Sequence, residues 1–179
     1  MKIGLLGYGT VGSGVYEIIT DNKNSILKNI EVSKIFIRNK NKMNKNIMTL
    51  DADEILNDDS IDIIVEAMGG INPAYELIMK ALRSGKHVVT ANKAVVSKYL
   101  REFTQTAADN NVAFLYEASV GGGIPWVKAI KQAKRIDEIT EVKGIFNGTS
   151  NFILYNMFEK GYDFSDILKI AQEKGYAES

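Results

Sequence analysis

The stretch Ile3-Gly4-Leu5-Leu6-Gly7-Tyr8-Gly9-Thr10-Val11-Gly12 decides the fold of this chain. Its first four residues form a short apolar run that is typical of a strand buried on both faces. The next six match G-x-G-x-x-G. The apolar residues that follow fall at helical spacing: Val11, Val15, Ile18 and Ile19. A strand, a glycine turn and a helix in this order predict a dinucleotide-binding unit.

The glycine turn supplies the first candidate binding residues. Gly7 permits the tight turn, Gly9 lets the backbone approach a pyrophosphate, and Gly12 lets the helix pack closely on the strand. Backbone N–H groups at the start of the helix, from Thr10 and Val11 onward, would then meet the anion. The alternative is a tight turn that binds nothing, and the strand–turn–helix context favours binding.

Strands and helices alternate along the first two-thirds of the sequence. Apolar runs predict further strands at 32–37, 62–67, 88–89 and 112–116. Helices are predicted at 52–57, from an Asn72 cap and Pro73 to a stop at Gly85, and along the stripe Val96, Leu100, Phe103 and Ala107. The polar stretch 39–50 is predicted to be a loop. This alternation indicates an α/β fold with a doubly wound parallel sheet.

The pattern changes near Gly121. A glycine-rich turn is followed by a predicted helix over 126–134, a strand over 141–146 and helices over about 150–160 and 164–174. A single strand without a partner is unstable. We therefore expect a dinucleotide-binding domain over residues 1–120 and an incomplete α+β catalytic and dimerisation domain over 121–179.

Composition excludes several classes of protein. Apolar residues make up 45% of the 179 residues, and 22 basic residues balance 22 acidic ones, which gives no support to electrostatic binding of nucleic acid. There is no cysteine and only one histidine, so disulfides and thiolate or multi-histidine metal sites are not expected. No apolar run approaches the roughly 20 residues that cross a bilayer, and the N-terminus lacks a signal peptide. A cytoplasmic protein without membrane contact is expected.

The end of the second strand bears on the choice between NADP and NAD. An acidic residue there would bind the ribose hydroxyl of NAD, but this chain has Arg38, followed by Lys40, Lys42 and Lys45. A guanidinium beside ammonium groups suits a 2′-phosphate, which favours NADP. The alternative is a solvated basic loop, with NAD as the cofactor.

Three other segments end predicted strands at the same edge of the sheet, where ligands bind in such folds. They are Glu66 to Gly70, Thr90 to Lys93 and Glu117 to Pro125. Lys93 lies at a helix start, where a cation is unfavourable because of the helix dipole. This position favours contact with substrate or nicotinamide over a simple surface lysine.

These segments, in their order along the chain, resemble the homoserine dehydrogenases. The resemblance rests on GYGTVG, Thr90-Ala91-Asn92-Lys93-Ala94, the Glu117 to Pro125 segment, Asn147-Gly148-Thr149-Ser150-Asn151-Phe152-Ile153-Leu154 and Gly175-Tyr176-Ala177-Glu178. It implies a Rossmann-type domain and NAD(P)-dependent interconversion of L-aspartate 4-semialdehyde and L-homoserine, a small-molecule substrate pair, in threonine, methionine and isoleucine biosynthesis. It also implies a homodimer.

The resemblance further implies roles for individual residues. Lys93 and Gly175 would lie beside the cofactor, and Glu178 would bind the amino group of homoserine. Glu117, Val120, Gly122 and Ile124 would give oxygens to a sodium ion, which is consistent with the preference of hard cations for oxygen. The alternative for 117–125 is a glycine-rich hinge between domains.

The family carries an Asp and a Lys for proton transfer beyond the position of Glu178, and the sequence stops before them at Ser179. We therefore expect a truncated, poorly active piece of the enzyme. A non-catalytic NAD(P)-binding module and another amino-acid dehydrogenase of the same architecture remain the alternatives.

Overall fold

The computed structural model describes residues 1–21, 27–144 and 147–177. They form two compact units, Met1–Gly122 and Gly123–Ser179. Each unit has its own secondary structure and its own buried residues.

The first unit is built on a six-stranded sheet in which every adjacent pair is parallel. The strands are β1 Lys2–Leu6, β2 Glu31–Phe36, β3 Met48–Thr49, β4 Ile63–Glu66, β5 His87–Thr90 and β6 Phe114–Leu115. Their order is β3-β2-β1-β4-β5-β6. The order reverses direction between β1 and β4, and a ligand crevice is expected at that switch point. The predicted Rossmann-type parallel sheet is confirmed.

Helices connect the strands and cover both faces of the sheet. They are α1 Thr10–Thr20, α2 Asp53–Leu56, α3 Ala74–Arg83 and α4 Lys93–Asp109. Consecutive side chains of a strand point to opposite faces, and Leu5 and Leu6 accordingly belong to two different core clusters. The larger cluster receives side chains from α2, α3 and α4, and the smaller one packs against Tyr16 of α1. Both faces of β1 are therefore buried, as its apolar run predicts.

The two ends of α3 differ in how well the sequence predicts them. The expected Asn72 cap is wrong, since Pro73 occupies the cap position and the helix begins at Ala74 without a side-chain cap. The peptide bond between Asn72 and Pro73 is cis. Gly85 ends the helix as predicted: its φ is +74°, and its N–H donates to the Leu82 carbonyl oxygen at 3.2 Å.

Two regions of the first unit depart from the expected pattern. The predicted loop 39–50 contains a 3₁₀ turn, Lys40–Lys42, and the short edge strand β3. The apolar stripe of α1 is only partly buried, with Val11 51% exposed and Ile18 65% exposed. The residue of α1 that is buried is Gly12, because the helix start lies close to the turn that precedes it.

Over its described residues, 123–144 and 147–177, the regular secondary structure of the second unit is α-helical. It contains α5 Trp126–Ala133, α6 Gly148–Lys160 and α7 Phe164–Glu173. Ile153, Ile167 and Ala171 form its core. The strand expected over 141–146 is not formed at 141–144, and residues 145 and 146 lie outside the described residues. No other strand is described in this unit to pair with it. Trp126 is half-buried rather than part of the core.

Candidate nucleotide-binding site

The glycine turn joins β1 to α1 through two close approaches. The Gly7 N–H donates to the Phe36 carbonyl oxygen at 2.9 Å, and the φ of Gly7 is +103°. A Cβ on Gly7 would lie 2.7 Å from the Ala67 carbonyl oxygen, and one on Gly12 would lie 2.1 Å from the Gly7 carbonyl oxygen. The structure therefore leaves no room for side chains at these positions, which explains their glycines.

Gly9 differs from these two glycines because the space beside it is open. A Cβ on Gly9 would meet no atom within 4 Å. The first hydrogen bond of α1 runs from the Ser13 N–H to the Gly9 carbonyl oxygen at 2.9 Å. The N–H groups that precede Ser13 in the first turn therefore have no acceptor within the helix. That turn carries no acidic residue. The turn thus presents an open face and a positive helix end to an anion.

A cleft of about 210 Å³ opens beside this turn at the carboxyl ends of β1, β2 and β4. It is lined by Gly7, Tyr8, Gly9, Phe36, Ile37, Arg38, Asn39, Lys42, Ala67 and Met68. Arg38 is exposed, and its Nη2 donates to the Met68 carbonyl oxygen at 3.4 Å. The glycine turn and the residue predicted to select the cofactor therefore lie in one cleft.

The basic loop after β2 is attached to the glycine turn by a tyrosine pair. Tyr8 of the turn and Tyr16 of α1 make an edge-to-face contact with ring centroids 5.9 Å apart. Lys45 Nζ lies 4.7 Å from the Tyr16 ring centroid and 5.9 Å from that of Tyr8. Pairing of β3 with β2 fixes the far end of the loop. These contacts hold the cationic residues of the loop near the cleft.

A buried carboxyl group lies at the end of β4. Glu66 is fully buried, and its Oε1 accepts from the Met68 N–H at 2.9 Å while its Oε2 accepts from the Thr90 hydroxyl at 2.5 Å. The Asn92 Nδ2 also donates to Glu66 Oε1, at 3.3 Å. Sequence reasoning placed Glu66 at a strand end and gave it no role. The sequence feature that could have identified it is a charged residue at the end of an otherwise apolar run.

Lys93 is the first residue of α4 and is exposed. Asn92 caps that helix, since its Oδ1 accepts from the Ala94 and Val95 N–H groups, each at 3.2 Å. The same side chain donates through Nδ2 to the Gly70 carbonyl oxygen at 2.6 Å. The position of Lys93 is thus tied to the segment that follows β4.

The other predicted site residues lie in the segment after β6 and in the second unit. Glu117 belongs to a 3₁₀ turn, Glu117–Ser119, and Gly122 has a φ of +61°. Val120 is half-buried, and Ile124 is 65% exposed. Among the described residues, no cluster of three or more His, Asp or Glu side chains suits a metal ion, so any cation site here would depend on main-chain oxygens.

The segment that leads to Glu178 is held against the start of α6. Gly175, with a φ of +73°, ends α7, and the Thr149 hydroxyl donates to the Tyr176 carbonyl oxygen. The Phe152 and Tyr176 rings lie 4.9 Å apart. Glu178 itself lies outside the described residues.

Comparison with protein families gives two matches that follow each other along the chain. Residues 7–117 match the model of the homoserine dehydrogenase NAD-binding domain, and residues 125–179 match a second model, that of homoserine dehydrogenase. None of the described helices is both long and apolar enough to cross a membrane.

Individual proteins agree with the family matches. A homoserine dehydrogenase of Synechocystis is 45% identical, covering 100% of this chain and 43% of its own length. The crystal structure of one from Thiobacillus denitrificans matches with a TM-score of 0.88 and 42% identity, covering 100% of this chain and 43% of that one. A hyperthermophilic archaeal homoserine dehydrogenase in complex with NADPH, 23% identical with a TM-score of 0.82, has the same fold over 99% of this chain and 62% of its own. The chain therefore spans less than half the length of the first two relatives.

Proposed function

The chain belongs to the homoserine dehydrogenase family, and on that premise we propose that it contributes the nucleotide-binding part of an NAD(P)-dependent enzyme that interconverts L-aspartate 4-semialdehyde and L-homoserine. The observation that carries the proposal is the cleft that the glycine turn, with the open side of Gly9, shares with Arg38. The reaction would serve threonine, methionine and isoleucine biosynthesis. Because the chain spans less than half the length of the first two relatives, the activity is proposed for the whole protein. We propose that the whole protein acts as a homodimer on a small-molecule substrate.

The glycine turn would bind the cofactor's pyrophosphate. Backbone N–H groups of Gly9, Thr10 and Val11 lie at the positive end of α1, and no carboxylate in the first turn opposes an anion there. Gly12 keeps that helix end close to the turn. The open space beside Gly9 gives the diphosphate room to approach the backbone.

We assign the preference between NADP and NAD to the basic loop. Arg38 and Lys42 both line the cleft, and Lys45 is held beside the turn by the tyrosine rings. A 2′-phosphate would receive charge-assisted hydrogen bonds from such groups, whereas the hydroxyl of NAD would not need them. NADP is therefore the proposed cofactor, and NAD is the alternative.

The residues at the ends of β4 and β5 would form the reacting part of the site. When bound, the reduced nicotinamide supplies the hydride that converts the aldehyde to an alcohol. Lys93 would contact cofactor and substrate from the start of α4. Gly175 would lie beside the cofactor, and Glu178 would bind the amino group of homoserine.

A sodium ion is proposed for the segment after β6. Gly121 and Gly122 both have left-handed backbone angles, +75° and +61°, which change the direction in which neighbouring carbonyls point. Carbonyl and carboxylate oxygens are the ligands that hard cations prefer, and Glu117, Val120, Gly122 and Ile124 would provide them.

Cofactor titration of the 179-residue chain tests the nucleotide part of this proposal. We expect NADPH to bind more tightly than NADH, and Arg38→Ala to weaken NADPH by about tenfold or more while leaving NADH unchanged, since hydrogen bonds to charged groups contribute about 1.5–3 kcal/mol. Arg101→Ala, which removes an exposed arginine outside the cleft, is the matched control. If wild type and Arg38→Ala each bound NADPH and NADH equally well, we would conclude that the loop is a solvated surface with no role in selecting the cofactor.

Activity requires a separate assay. A chimera in which these 179 residues replace the matching part of the Thiobacillus denitrificans relative should oxidise NADPH only when aspartate 4-semialdehyde is present. A folded chimera that binds NADPH without this oxidation would favour a non-catalytic NAD(P)-binding module. Oxidation driven by a different carbonyl substrate would favour another dehydrogenase.

A further inference from the structure

We infer that Glu66 is a positioning residue for the nicotinamide end of the site. Its buried carboxyl group holds together the two segments that follow β4 and β5 and thereby sets the position of Lys93. The inference rests on the proposed function, because it assumes that a nicotinamide cofactor occupies this edge of the sheet.

The side-chain hydrogen bonds of Glu66 all reach toward the carboxyl edge of the sheet. One runs to the backbone of the Ala67–Gly70 segment at Met68, and the others run to Thr90 and Asn92 at the end of β5. Burial of a carboxyl group is unfavourable unless hydrogen bonds replace those it made with water. Among the described residues, every buried side-chain nitrogen or oxygen has a hydrogen-bond partner, so this network is complete.

The Asn92 side chain links Glu66 to the backbone around Lys93. Its amide nitrogen donates to Glu66 Oε1 and to the Gly70 carbonyl oxygen, which fixes the orientation of the amide group. Its amide oxygen therefore faces the start of α4, where it accepts from the Ala94 and Val95 N–H groups. Since Lys93 lies between Asn92 and these two residues in sequence, the same side chain fixes the backbone on both sides of it.

Glu66 itself does not line the adenosine half of the cleft, although Ala67 and Met68, which directly follow it, do. The cleft is lined by the glycine turn, the end of β2 and the first residues after β4, and neither Glu66 nor the β5 end lines it. Two of the three side-chain hydrogen bonds of Glu66 run to the β5 end and one runs to Met68, so their loss should disturb the nicotinamide end more than the adenosine end. A defect in folding would affect both ends together.

The experiment compares two ligands of the 179-residue chain. NADPH fills both halves of the site, and adenosine 2′,5′-bisphosphate fills only the adenosine half. We expect Glu66→Gln to weaken NADPH by about tenfold and to leave the bisphosphate within about twofold of wild type. Asp58→Asn is the control, since it alters a half-buried, hydrogen-bonded carboxylate of the same unit that precedes β4 and should leave both affinities unchanged.

Thr90 provides a second pair of variants if Glu66→Gln does not fold. Thr90→Val removes the hydroxyl that donates to Glu66, and Thr90→Ser retains it. We expect the valine variant to lose NADPH affinity selectively and the serine variant to restore it. An accelerated amide hydrogen exchange at Met68 should accompany Glu66→Gln, because a neutral amide oxygen would replace the charged carboxylate oxygen as the acceptor of its N–H.

The outcomes separate the inference from the proposed function. Wild-type chain that binds neither ligand overturns the proposed function and, with it, this inference. The inference alone is overturned if the wild-type chain binds both ligands and the Glu66 and Thr90 variants lose affinity equally for both ligands or for neither.

Discussion

The two units of the chain bury their apolar side chains to very different extents. In the first unit, seventeen buried side chains form one cluster, in which Ile64, Leu82 and Phe103 are completely buried. The described residues of the second unit have a cluster of three, and Phe158 of α6 is 93% exposed. The first unit contains both a complete core and the cleft beside the glycine turn, whereas the described residues of the second unit have little interior of their own.

This difference follows from how each unit is built. A parallel sheet with connecting helices buries its strands on two faces, so one continuous stretch of chain, from Leu6 to Phe114, supplies the whole main core of the first unit. Three helices form a small unit, and a small unit buries a smaller share of its apolar surface. We therefore expect nucleotide binding and independent stability to belong to the first unit, and self-association to belong to the second.

The largest expected effect is that of Gly12→Val in the first unit. The new side chain would overlap the Gly7 carbonyl oxygen, so the helix start would have to move away from the turn. We expect NADPH binding to be lost and the free energy of unfolding to fall by about 1–3 kcal/mol. Calorimetric titration and denaturant unfolding of the chain measure both effects.

Gly14→Ala is the matched control on the same helix. A Cβ on Gly14 would meet no atom within 4 Å, and alanine favours a helix by about 1 kcal/mol over glycine. The control should bind NADPH normally and be slightly more stable. Normal binding by Gly12→Val as well would show that the close approach is not required.

An intermediate effect is expected from Phe158→Ser in the second unit. Because the ring is almost wholly exposed, its loss should change the free energy of unfolding by less than about 0.5 kcal/mol. Leu154 and Tyr155, 62% and 56% exposed, lie on the same helix. An apolar surface of this kind promotes association, so sedimentation velocity should show less self-association in the variant.

Ile153→Ala provides the contrast for this second test. Ile153 belongs to the small core of the second unit, and its truncation should destabilise that unit by about 2–4 kcal/mol. If Phe158→Ser were as destabilising as Ile153→Ala, the ring would be buried in solution and the contrast between the two units would be weaker.

The smallest effect is a change in the pH dependence of stability in the first unit. The hydrogen bond from Lys34, at 3.0 Å, and then the one from the Thr49 hydroxyl, at 2.9 Å, lower the pKa of Glu54. Since the folded-state pKa lies below the unfolded one, this contribution is present above the unfolded pKa and is lost as pH falls through the folded pKa.

Urea denaturation at a series of acidic pH values measures this contribution. Glu54→Gln should flatten the acid side of the stability curve, and Lys34→Met should flatten it in the same way because it removes the main donor. An unchanged slope in both variants would mean that this exposed ion pair contributes nothing measurable.

Much of the first unit could be predicted from local sequence patterns. The glycine turn, the parallel sheet and the stop of α3 at Gly85 follow from chemistry that acts over a few residues. The edge strand β3 was missed because two residues carry no periodicity, and the Asn72 cap was wrong because Pro73 occupies the cap position. The strand expected over 141–146 lacks a described partner, and a strand needs hydrogen bonds from another segment.

The sequence by itself determined the fold class, the glycine turn and the family, since these depend on residue types at fixed spacings. Only the tertiary structure decided that Arg38 shares a cleft with Gly7 and Gly9, and that Glu66 holds Thr90 and Asn92 together. These contacts join residues more than twenty positions apart. Their existence depends on which strands are neighbours in the sheet, and spacing along the chain does not encode that order.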